Sequence, residues 1–222
     1  MHTIGKDVTV RVLNSYDRTS QLGGWRRRRS IPDMRKNYDF WSFFVIPALT
    51  FLMTAGYELT ATNFSVIGNR EGRRGLFLLW GAVTGNYFYL YVKDLTELGG
   101  CEDRLVQVCL FLAFVLFLCG VSLPYLPRQL PLLSRLHVWA SFGGPAFLFV
   151  CLYRLIRVTE KKEGVRLFGQ KVFHFGVGAI TAFLYLRIGI VSSLLEIFVT
   201  LSACVSLSSF QHKLEKIRLS NH

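Results

Sequence analysis

The stretch Val108-Cys-Leu-Phe-Leu-Ala-Phe-Val-Leu-Phe-Leu118 carries no charge and shows no alternation of polar with apolar positions. It is the centre of a longer uncharged run, Leu105 to Pro127. In lipid every backbone polar group has to be satisfied within the protein, which leaves helices and closed barrels as spanning structures. Barrel strands alternate polar and apolar residues over about ten positions, and this run does not. It reads as a membrane-crossing helix.

Working outward, the apolar residues fall into blocks with the charges between them. Phe40 to Tyr57 and Leu76 to Val92 are uncharged, Leu136 to Tyr153 holds only His137, and Val172 to Leu186 holds only His174. Ile188 to Phe210 contains a single acid, Glu196. A crossing helix needs about 20 apolar residues, within a range of roughly 17–25. The segment from Val172 to Phe210 is too long for one crossing, so a tight turn at Arg187-Ile188-Gly189 divides it in two. The expected fold class is an all-α membrane protein, a six-transmembrane-helix bundle. Its expected spans are about 40–57, 76–92, 105–127, 136–153, 172–186 and 188–210. A basic N-terminal arm (1–39) precedes this domain (40–210) and a short C-terminal tail (211–222) follows it. The arm has no apolar core, so the first helix is expected to act as its own membrane-targeting signal.

Composition supports the same class. Of 222 residues, 51% are hydrophobic and 18% charged, and the mean hydropathy is +0.36. A formal charge of +12 would suit a nucleic-acid binder, but such a protein spreads its basic residues over a solvated face. So few polar residues cannot coat a soluble fold of this size, and low hydrophobicity, the mark of disorder, is absent. The charge instead reports orientation. With the N-terminus in the cytoplasm, twenty Lys and Arg lie on the cytoplasmic side and six outside. The positive-inside rule therefore selects N-in and C-in. Arg26, Arg27, Arg28 and Arg29 form a basic run beside the membrane, suited to anionic lipid headgroups at about 1 kcal/mol per residue. The expected location is a membrane, the cell membrane in a bacterial source.

Few residues offer chemistry. Cys101, Cys109, Cys119, Cys151 and Cys204 have no C-x-x-C spacing and read as small packing residues. His137 and His174 open different helices at opposite faces, on the order of 25 Å apart, so a haem pair is not expected. There is no metal, nucleotide or nucleophile-elbow motif, and no cofactor is expected. Glu196 lies about 12 Å into the last helix, where an ionisable group is costly and points to function or to a buried partner. Asn63, Ser65, Arg73, Arg74, His137 and Glu196 all fall at the outer face by this topology. They are the candidate ligand-binding set, a polar pocket at headgroup level. The simpler reading is a hydrogen-bonded cap on the bundle. Asn86 reads as an interhelical hydrogen-bonding residue, and Tyr87, Phe88, Tyr89 and Tyr91 as an interfacial belt. Gly143-Gly144-Pro145 should kink or unwind the fourth helix, and Pro124, Pro127 and Pro131 stiffen the third outer loop.

Asn63-Phe-Ser-Val-Ile-Gly68, Leu123-Pro-Tyr125 followed by Leu136-His137, and Ser192-Ser-Leu-Leu-Glu196 form a further pattern. Across about residues 40–210 it resembles the six-helix family of damage-regulated autophagy modulators and FGF-receptor-activating proteins, with their bacterial relatives. In eukaryotic members a tryptophan often follows the helix-six glutamate; Ile197 stands there in this chain, which is closer to the bacterial side. The resemblance implies a non-enzymatic or poorly defined role, linked in some members to lipid or lipid-anchor handling, and makes His137 and Glu196 the positions to test. The leading expectation is a multi-pass protein that binds membrane lipid or a protein partner and no nucleic acid. The alternatives are a lipid-modifying enzyme using His137 and Glu196 as an acid/base pair, and a small transporter.

Overall fold

The computed structural model describes residues 38–220. The basic run Arg26 to Arg29 lies outside the described residues. Those described are helical apart from short connections, with no strand among them. In chain order the helices are α1 (Tyr38–Thr54), α2 (Phe64–Arg70), α3 (Arg74–Leu98), α4 (Arg104–Ser122), α5 (Pro131–Glu163), α6 (Phe168–Ile188) and α7 (Ser193–Ser220). Four of them, α4 to α7, are long and apolar enough to cross a membrane. Large apolar side chains such as Trp139 and Leu186 stand exposed on their outer faces, as they would against lipid.

Local chemistry accounts for where the helices start and stop. Pro47 has no N–H to give the carbonyl four residues back. The backbone there widens into a π-helical turn over Trp41–Val45, closed by the Ile46 N–H on the Trp41 carbonyl. Asp103 caps α4, its side chain accepting from the Val106 N–H. Leu123 precedes a proline and turns extended, as residues before proline do, so α4 stops short of the expected end at 127. The α5 helix begins earlier than expected, with Pro131 in its first turn, and runs on to Glu163. It ends at Gly164, whose φ of +64° is a left-handed conformation that costs glycine little. The α6–α7 turn falls at Gly189 (φ +78°) to Ser192, slightly later than expected. The α7 helix continues past Phe210 to Ser220, because Leu214 and Ile217 still find buried surroundings.

The α4–α5 pair is the most closely packed in the bundle. A Cβ on Gly144 would come within 3.1 Å of the Phe117 backbone, and one on Gly120 within 3.1 Å of the Ser141 backbone. Small residues that let backbones approach in this way drive helix association in lipid, where apolar burial gives little drive. Gly143-Gly144-Pro145 is expected to kink or unwind the helix; the helix stays wound through it, and Gly144 serves the seam with α4. The α3 helix packs on α1 and α4, α7 on α1, α3 and α6, and α6 lies at the periphery with only His174 buried.

Two other expectations change. Tyr87, Phe88 and Tyr91 are buried rather than interfacial. Tyr91 stacks on Tyr38 with ring centroids 4.1 Å apart, and the Tyr87 and Ser42 hydroxyls share a 2.6 Å hydrogen bond. Their helix turns that face toward α1 and α7. Asn86 bonds the Ala82 carbonyl of its own helix and, among the described residues, joins no neighbouring helix.

Candidate functional site

The site is built around α2, which is too short to be stable alone. Its apolar face supplies Phe64 and Ile67, both fully buried in a cluster with Met53, Phe77, Trp80, Val121 and Ile197. Burying side chains of this size is worth about 1.5–3 kcal/mol each relative to exposure in water. Phe64 meets the Trp80 ring edge-on at 4.8 Å.

Polar contacts hold the other side of α2. Asn63 caps it, Oδ1 accepting from the Val66 N–H at 2.8 Å. The N–H of Phe64, in the first turn, donates to Glu196 Oε2 of α7 at 2.7 Å. The α7 helix is secured in return: its Ser193 and Leu194 N–H groups donate to the carbonyls of Thr62 and Leu59. The two helix starts therefore satisfy donors that would otherwise be orphaned, and Glu196 places an acceptor oxygen at the start of α2.

One residue along, Ser65 Oγ lies 2.7 Å from His137 Nε2. The other ring nitrogen, Nδ1, lies 3.0 Å from the Leu123 carbonyl. A carbonyl can only accept, so Nδ1 donates; Nε2 of the neutral ring then accepts the Ser65 proton. Ser141 Oγ approaches Nε2 more distantly at 3.4 Å, and the Tyr125 ring covers the imidazole at 5.4 Å between centroids. Ser65 and His137 are both buried.

The arginines serve helix ends. Arg74 Nη1 donates to Asn69 Oδ1 at 2.9 Å and Nη2 to the Ser122 carbonyl at 2.5 Å, at the last residue of α4. Asn69 Nδ2 bonds the Ser65 carbonyl, which joins Arg74 to the Ser65–His137 pair. Arg73 turns the other way. Its Nη1 reaches the carbonyls of Leu52 and Met53 at the end of α1, 3.2 Å each, with the guanidinium 4.8 Å over the Tyr57 ring. A cation at a helix C-terminus is favourable by about 0.3–1 kcal/mol.

The structure thus brings Asn63, Ser65, Arg74, His137 and Glu196 to one end around α2 and sends Arg73 to the neighbouring helix terminus. His137 and Glu196 do not bond each other; they hold adjacent residues of α2. His174 belongs elsewhere. It stacks on Phe149 at 3.7 Å, twelve residues and so about 18 Å along α5 from His137. Among the described residues no three His, Cys, Asp or Glu converge where a metal ion could sit. All five cysteines are free, and all but Cys119 are buried.

Sequence reasoning passed over Asn69, Ser141 and the Ser122 carbonyl, and placed Leu123 and Tyr125 in a motif without assigning them to the site. Ser193-x-x-Glu196 carried a readable signal, since that spacing is a capping box. In the fold Glu196 caps α2 instead, and Ser192 Oγ takes the Leu195 N–H of α7.

Comparison with known proteins finds no match: no family model, no curated protein and no solved structure is similar to the chain.

Proposed function

We propose that the chain is a six-span membrane protein, with both termini on the cytoplasmic side, that binds a lipid headgroup or protein partner at its α2 end and has no catalytic acid/base pair. The spans would be α1, α3, α4, α5, α6 and α7, with α2 at the outer face. Four helices of spanning length and the distribution of basic residues support this arrangement. The resemblance to the damage-regulated autophagy modulator and FGF-receptor-activating family is part of the same proposal.

The observation that carries it is the division of labour between His137 and Glu196. One takes the Ser65 hydroxyl and the other the Phe64 N–H, so α2 is a short helix gripped at two neighbouring points. Displacing it frees an imidazole, a carboxylate, a hydroxyl and the Arg74 guanidinium together, a set able to hold a polar headgroup. Native mass spectrometry of the full chain from nanodiscs tests this. Co-purifying lipid or partner should decline in His137→Ala and be kept in an exposed-surface control such as Arg128→Gln. Identical retention in both would remove the reading.

One observation favours a second reading. Ser65 Oγ at 2.7 Å from a His137 Nε2 whose Nδ1–H is held by a carbonyl has the geometry of a histidine-activated serine. In this version of the enzyme alternative Ser65, and not Glu196, partners His137. A serine-directed fluorophosphonate should then label Ser65, with labelling lost in His137→Ala; an unlabelled wild-type protein counts against it. The transporter alternative ranks lowest, since inverted-repeat carriers pair broken helices at matching positions and α5 is continuous.

A further inference from the structure

At the end of the bundle opposite α2, a cavity of about 380 Å³ opens between the start of α6 and the stretch of α7 from Val205 to Lys213. Arg166, Gln170, Ser209 and Lys213 form its polar lining, and Phe173 and Val205 its apolar part. We propose that this cavity binds the phosphate headgroup of an anionic phospholipid. Arg166 and Lys213 would pair with the phosphate oxygens, Ser209 would donate its hydroxyl proton, and Phe173 and Val205 would lie beneath the acyl chains.

Charge is the first support. Neither Arg166 nor Lys213 has a hydrogen bond or ion pair among the described residues, whereas neighbouring Lys171 is neutralised by Glu160 at 2.9 Å. Two cations therefore face the cavity with no acid in its lining. The second support is the wiring of Ser209. Gln170 Nε2 donates to Ser209 Oγ at 2.8 Å across the two helices, which occupies an acceptor site on the hydroxyl and leaves its O–H to donate.

Depth selects a lipid over free phosphate. Lys213 follows Ser193, the first residue of α7, by twenty residues, about 30 Å of helix and one hydrocarbon thickness. The cations thus stand at headgroup level, while Phe173 points the cavity toward the outward apolar face of α6, where Phe175, Ile180 and Phe183 are exposed. Basic pockets between membrane helices are a recognised form of acidic-lipid site. The site is separate from the α2 end and requires only that the bundle span a membrane.

The test uses the full chain in nanodiscs of phosphatidylcholine alone or mixed with phosphatidylserine, read by native mass spectrometry and thermal unfolding. Wild type should retain phosphatidylserine and melt higher in the mixed discs, and R166Q/K213Q should lose about thirtyfold in retention. Ser209→Ala should show a smaller loss in the same direction. Neutralising Arg26 to Arg29 together should leave the groove-dependent component in place. Inorganic phosphate added to phosphatidylcholine discs should not raise the melting temperature. Retention unchanged in R166Q/K213Q, retention lost only with the arginine run, or equal protection by inorganic phosphate would each overturn the proposal.

Discussion

The two ends of the bundle handle charge differently. At the α2 end, Arg73, Arg74 and Glu196 each close on a helix terminus, and His137 is held at both ring nitrogens. At the opposite end Lys162 closes on the end of α3 and some charges pair, as in Arg154 with Asp103 and Lys171 with Glu160, but Arg166 and Lys213 line an open cavity. Helix geometry explains part of the contrast. The α2 end collects the C-termini of α1 and α4 and the start of α7 around a seven-residue helix that cannot stand without partners. At the far end α5 and α7 run on past their apolar segments, and fewer of the charged side chains there close on a neighbouring helix end. A polar group spent on architecture costs stability when removed; one facing a cavity is available for a ligand.

Substitutions can break that comparison. The largest effect is expected from Glu196→Ala, which leaves the Phe64 N–H without its acceptor and should cost about 2–3 kcal/mol in thermal unfolding in detergent. Glu196→Gln keeps a carbonyl acceptor and should recover most of it. Equal losses for the two variants would mean that the negative charge matters more than the hydrogen bond. His137→Ala should cost about 2 kcal/mol by stranding the buried Ser65 hydroxyl, and Ser65→Ala made with it should add little, because the pair acts as a unit. Full additivity would separate the two residues. Arg74→Gln should cost about 1 kcal/mol through the α4 terminus, measured in the same assay.

The far end supplies the smaller effects. The hydrogen bond from Arg154 holds the Asp103 carboxyl below the usual carboxylate range, helped by the Val106 N–H. A depressed carboxyl adds stability that is complete above its unfolded value, near 3.8, and is lost as pH falls through the lower folded value. Asp103→Asn keeps the cap and should flatten the acid limb of melting temperature against pH below that value. Wild-type and variant curves that stay parallel would show an ion pair too exposed to contribute. R166Q/K213Q should change stability in lipid-free detergent by less than about 0.5 kcal/mol. A large loss there would place these cations with the α2-end arginines as structural groups.

Much of this organisation could be read from the chain. Each expected apolar span contains the greater part of one long helix, and the expected turn between the last two falls within a few residues of Gly189. The helix ends were harder to place, because an apolar run marks where lipid contact stops, and a helix stops at a cap. Asp103, Leu123 before proline and Gly164 are such stops. The α2 helix left no span-length signal and falls between the first two expected spans. The Tyr87 to Tyr91 segment looked interfacial by position, but three of its four aromatic residues are buried against α1 and α7. The candidate set at the α2 end was legible as a shared depth, since depth follows from counting residues along each helix.

The sequence by itself determined the class, the order of the helices and the sites where charge could be tolerated, since these depend on local length and hydropathy. The tertiary structure alone decided that Glu196 meets Phe64 and His137 meets Ser65, and that Gly144 closes on α4. Successive residues turn by about 100° around a helix, so a contact depends on how each helix is rotated against its neighbours. That rotation is set by packing across the whole bundle, and no single segment encodes it.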